Sequence, residues 1–99
     1  MRKLTEKEAI LIDRVESAVC RYFNVPTNAL ANIDKKANSS MARGYVLYIL
    51  HVDYKLSIGK LSDTYFRTTR AVFWHISKIK SLIKQRVYRE IYQSIISSI

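Results

Sequence analysis

The side chains best suited to chemistry in this sequence are Thr68, Thr69, Arg70, Trp74, Ser77 and Lys78, which recur at one-, three- and four-residue intervals. On a helix most of them would share one face, and their chemistry is recognition rather than bond making. A guanidinium in the first turn can give two hydrogen bonds to O6 and N7 of guanine, worth ~1–3 kcal/mol of discrimination. Thr68 or Thr69 can cap the helix, while the other donates to phosphate or packs on a thymine methyl. Ser77 and Lys78, continued by Ser81 and Lys84, could track a phosphate strand, although a plain solvated face is the alternative for Lys84. Trp74 lies two positions from Val72 and two from Ile76, at the margin of an apolar stripe. It either packs at the edge of the core or an interface, or touches the nucleic acid directly.

Other chemistries find little support. Asp13, Glu16, Asp34, Asp53, Asp63 and Glu90 are scattered, with no pair beside an activated nucleophile, so no enzyme is expected. His51 and His75 read as boundary histidines without a Cys, His or carboxylate at ligand spacing, so neither metal nor cofactor is expected. The single Cys20 excludes an internal disulfide and reads as a small core residue. No apolar run could span a bilayer, and the charged MRKLTEKE has no apolar h-region behind it, so a cytoplasmic protein away from membranes is expected.

The elements that must position these side chains are helical. Two Gly and one Pro in 99 residues, with apolar residues three and four apart, predict a single all-α domain over residues 1–99. Thr5 and Glu8 form a capping box, and a first helix follows with the stripe Leu11, Val15, Ala18, Val19, Tyr22 and Phe23 until Asn24 and Pro26. Pro26 to Ala31 can make one short turn. Asn32 to Ser40 reads as a polar loop with the pair Lys35 and Lys36, and Ser39 or Ser40 as the cap of a helix from Met41 to about Tyr54. That helix is apolar around more than one face, which predicts the most buried element, and Gly44 in it permits a close crossing. Leu56 to Ile83 then reads as a helix-turn-helix: Ser57 caps a helix with Ile58, Leu61 and Tyr65 inward, Phe66 and Arg67 turn the chain, and a second helix starts near Thr69.

Beyond Gly59 there is no Gly or Pro, so the last helix is long, or bent near Lys84 to Val87, since a straight helix of ~30 residues would reach ~45 Å. Its stripe runs through Val72, Ile76, Ile79, Ile83, Val87, Ile91 and Ile95. The formal charge of +9 favours an anionic partner, and the excess is C-terminal: from Arg67 onward seven basic residues face only Glu90.

The order of elements, with the segments MARGYVLYIL, LSIGKLSDTYF and Arg67 to Ile79, resembles the C-terminal DNA-binding domain of the bacterial replication initiator DnaA. The match covers about residues 12–83, leaving 84–99 as a helical extension. Arg43, Ser57, Ile58, Leu61, Asp63, Arg67, Val72 and Ile79 fall on the family's pattern. The resemblance implies a Trp-repressor-like fold, a basic loop at Lys35 and Lys36 near the backbone or minor groove, and a recognition helix in the major groove. It also implies phosphate contacts from Arg43 and from the helix start at Ser57, Ile58 and Gly59, with Lys60 beside them. The family's Asp-His-Thr-Thr signature is replaced by Thr68, Thr69, Arg70 and Ala71, so a different target is expected. There is no GxxxxGK phosphate loop, so no ATP-driven melting of DNA is expected.

The expected function is thus a non-enzymatic reader of double-stranded DNA, as a regulator or accessory replication factor. The alternative is a helical protein-protein interaction module that has lost DNA binding. Tyr88, Ile91, Tyr92 and Ile95 either close the core against the first helix or pair two copies into a homodimer reading two half-sites.

Overall fold

The computed structural model describes residues 4–30 and 37–99, and every regular element among them is helical. Helix α1, Glu6–Phe23, begins at the expected capping box: Thr5 Oγ1 accepts from the Glu8 N–H at 3.1 Å, and the Glu8 carboxylate accepts from the Thr5 N–H at 2.9 Å. Asn24 ends it in the left-handed conformation, which asparagine tolerates better than most residues. Its buried face is Ile12, Val15, Ala18, Val19 and Cys20. Tyr22, expected in the stripe, is about half exposed although Val15 and Val19 on the same face are buried; in the last turn of α1 its ring meets Phe23 edge-on. A single 3₁₀ turn, Thr27–Leu30, drops Leu30 into the core.

Helix α2, Ala37–Tyr48, takes in Ser39 and Ser40 rather than being capped by either. Ser39 is buried. Every residue from 42 to 50 is buried, as a helix apolar all round requires. The chain then widens into a π-helical turn, Ile49–Asp53, that the apolar periodicity does not announce. Lys55 reverses the chain at φ 65°, the Leu56 N–H donates to the Leu50 carbonyl, and His51 Nδ1 meets the Leu56 carbonyl at 2.7 Å.

Helix α3, Ile58–Tyr65, and helix α4, Thr69–Leu82, follow across the turn Phe66 to Thr68. Both are capped as expected: Ser57 Oγ accepts from the Lys60 N–H and Thr68 Oγ1 from the Ala71 N–H, each at 3.1 Å. Leu61 and Tyr65 of α3 and Val72, Ile76 and Ile79 of α4 are buried. Gly44 marks the crossing of α2 and α4, since a Cβ there would lie 2.9 Å from Ile79 Cγ1.

The chain breaks at Ile83 to Gln85 without Gly or Pro, and α5, Arg86–Ser97, runs in a new direction. The break keeps the longest dimension at 37 Å and rotates the apolar stripe. Val87 is expelled at 66% exposure, and Ile95 becomes fully buried, with Ile91, Tyr92 and Ile99 packed against the core. Tyr45 Oη donates to the Tyr88 carbonyl at 2.9 Å, and Tyr92 Oη to Asp53 at 2.6 Å. Of the candidate dimer residues, Ile95 is fully buried in its own chain, while Tyr88, Ile91 and Tyr92 are partly buried.

Candidate nucleic-acid interface

Core contacts decide which side of α4 faces out. With Val72, His75, Ile76 and Ile79 turned inward, the 100° step per residue places Arg70, Ser77 and Ser81 along the opposite side. Trp74 and Lys78 flank them on one edge, Phe73 and Lys80 on the other. All seven are exposed. The expected group is thus brought together: Thr68 and Thr69 at the exposed N-terminus, then Arg70, Trp74, Ser77 and Lys78 over two turns. No acidic residue occurs between Asp63 and Glu90, so nothing on α4 itself neutralises this face.

Trp74, 55% exposed, belongs to the surface rather than to the core margin. Lys78 Nζ lies 5.1 Å from its ring centroid, and the buried His75 meets it edge-on at 5.1 Å. These contacts hold the indole in place while leaving half of it open. Phe73, 60% exposed, was not among the expected site residues. Its place one position after Val72 and three before Ile76 was the available signal. Phe66 at the turn is 84% exposed in a left-handed conformation, which is costly for a residue with a large side chain.

Other expected contacts are placed differently. Arg43 is buried, with Nε donating to the Leu30 carbonyl at 2.8 Å, so it ties the 3₁₀ turn to α2 and has almost no surface for a phosphate. Lys60 is held by both carboxylate oxygens of Glu8, at 2.8 and 2.9 Å, joining α3 to the start of α1. That pairing, with the Thr5 N–H bond, holds the Glu8 carboxyl below its usual range. Arg67 is half-buried, and its carbonyl and N–H are both engaged by Ser62. Ser57, Ile58 and Gly59 form the partly exposed start of α3. Lys35 and Lys36 lie outside the described residues.

His75 shows what the positive charge does to its surroundings. Burial, then Arg43, Arg67 and Lys78, push its pKa down to about 4. An unfolded histidine takes up its proton near 6.5, so between pH 6.5 and 4 the unfolded chain binds more protons and folding weakens as pH falls. Glu16 acts in the opposite sense. Partial burial, and then Asp13, raise its carboxyl above the usual range, against the hydrogen bond it accepts from Tyr65 Oη at 2.5 Å, which lowers it. Comparing wild type with His75→Gln isolates the histidine: urea midpoints should fall more steeply for wild type across that window, and equal slopes would remove His75 as the cause.

Among the described residues no group of His, Cys, Asp and Glu could hold a metal ion, and no helix is long and apolar enough to cross a membrane. Burial pushes the Cys20 thiol up to about 11, the behaviour of a packing residue. An apolar groove lined by Tyr48, Val52, Ile58, Phe73 and Ile76 runs beside α4, with Lys80 among its walls. No protein-family model and no curated protein matches this chain.

Proposed function

We propose that the chain is a non-enzymatic reader of duplex DNA, with α3 and α4 acting as a helix-turn-helix and α4 lying in the major groove. The observation that carries this is the exposed face of α4, where Arg70 sits in the first turn and Lys78 two turns on, with no acid between Asp63 and Glu90. A cationic helix face fits a polyanion, and its leading arginine fits a guanine edge. Arg43 and Lys60, spent on internal contacts, leave phosphate positioning to Ser57, Lys78, Lys80, Thr68 and the Lys35 and Lys36 pair. The resemblance to the DnaA DNA-binding domain points the same way, and a regulator or an accessory replication factor is the setting it suggests.

Binding of labelled duplex across a salt series tests this. Each neutralised phosphate adds about 0.9 to the slope of log K against log salt, so a slope of about −3 or steeper is expected. Arg70→Ala should erode sequence preference, whereas Lys36→Ala should weaken all duplexes alike and flatten the slope. Absence of duplex binding even at low salt would favour the second reading, a protein-protein interaction module. Its specific support is the exposure of Phe66, Phe73 and Trp74, together with the apolar groove that Phe73 lines.

A further inference from the structure

Two large aromatic side chains stand in the open on a helix that otherwise presents cations and hydroxyls. Trp74 and Phe73 are exposed by 55% and 60%, on either side of the line through Arg70 and Ser77. Exposed aromatics cost solubility, and the indole is further held by Lys78 and His75. Major-groove edges consist of hydrogen-bond donors and acceptors with a single apolar exception, the C5 methyl of thymine. A phenyl ring has no donor or acceptor, and an indole has one N–H, so neither can read the polar pattern of a base pair beyond that N–H.

We infer, on the reading of α4 as the helix in the major groove, that Trp74 and Phe73 are specificity-determining residues that pack on thymine methyl groups. The target then carries thymines facing the two rings, flanking the base that Arg70 contacts. Phosphates held by Lys78 on one edge and Lys80 on the other would keep the helix seated while the rings exclude water from the methyls. A cytosine or adenine at those positions would set a polar amine against an aromatic face, which loses a hydrogen bond to water without replacing it.

The test replaces thymine by deoxyuridine, which deletes the methyl and leaves base pairing intact. Duplexes selected by the wild-type protein from a random pool supply the target, and each thymine is replaced in turn. Trp74 is the single tryptophan, so its fluorescence reports each titration directly in the wild type. Loss of a buried methyl should weaken binding about fourfold at each of one or two positions. In Trp74→Ala or Phe73→Ala, followed by fluorescence anisotropy of labelled duplex, the loss at the matching position should vanish. Both sites are exposed, so circular dichroism should show both variants folded, and the wild-type scan needs no variant. Tight binding that no deoxyuridine disturbs would overturn the inference while leaving DNA reading intact. A deoxyuridine effect that persists unchanged in both variants would overturn the assignment to these rings. Failure to bind any duplex at low salt would overturn the DNA reading itself, and this inference with it.

Discussion

Replacing Gly44 by valine is expected to lower the free energy of unfolding by about 3 kcal/mol, the upper part of the range for overpacked cores. Even one methyl is tight, since a Cβ at Gly44 would sit 2.9 and 3.0 Å from Ile79 Cγ1 and Cδ1. Ile79 is 1% exposed and has no room to swing away. Valine adds two further carbons to the contact and can be accommodated only if α2 and α4 separate. Glycine inside a helix costs ~1 kcal/mol relative to alanine, so the close crossing must return more than that. Ile79→Ala removes both crowding atoms and alone should cost ~2–5 kcal/mol. Combined with Gly44→Val, it should cost clearly less than the sum, with at least ~1 kcal/mol of coupling in denaturant titrations. Strict additivity would mean that the helices do not meet through these two residues.

Gly44 also illustrates which parts of the fold the sequence discloses. A glycine between apolar neighbours, a Thr5 and Glu8 box, and hydroxyls at Ser57 and Thr68 are local signals, and each stands where local chemistry put it. Contacts between distant segments leave no such trace. The π-helical turn at Ile49–Asp53 lies in a stretch whose apolar spacing reads as plain α-helix. The break at Ile83 to Gln85 has no helix-breaking residue and is rewarded by long-range contacts: Ile95 in the core, Tyr45 on the Tyr88 carbonyl and Tyr92 on Asp53. Arg43 and Lys60 were legible as cations but not as cations spoken for, because their partners Leu30 and Glu8 lie 13 and 52 residues away. The outward face of α4 was legible because it is the complement of an apolar stripe. Phe73 is the exception, since an aromatic side chain beside such a stripe ordinarily packs into the core and this one is 60% exposed.

The face of α4 yields the largest expected effect. Arg70→Glu combined with Lys78→Glu should weaken duplex binding at least ~100-fold at moderate salt. Loss of a bidentate base contact contributes ~1–3 kcal/mol, and loss of a phosphate contact adds a counterion term that grows as salt falls. The two new carboxylates would also face phosphates. Both side chains are exposed on the side of α4 away from the core, so thermal stability should change little. The decisive comparison is Arg86→Glu with Arg89→Glu on α5, which changes the formal charge of +9 by the same amount. Arg86 gives up only an exposed pairing with Glu90, at 3.0 Å, of the kind worth ~0.5 kcal/mol or less. If α4 is the reading surface, the α5 variant should lose no more than about tenfold, through the general field alone, and its loss should fade as salt screens that field. If the two variants weaken binding equally, the protein attracts DNA by net charge and α4 has no special part in it. A loss confined to the α4 variant would place the contact on the face that begins at Arg70.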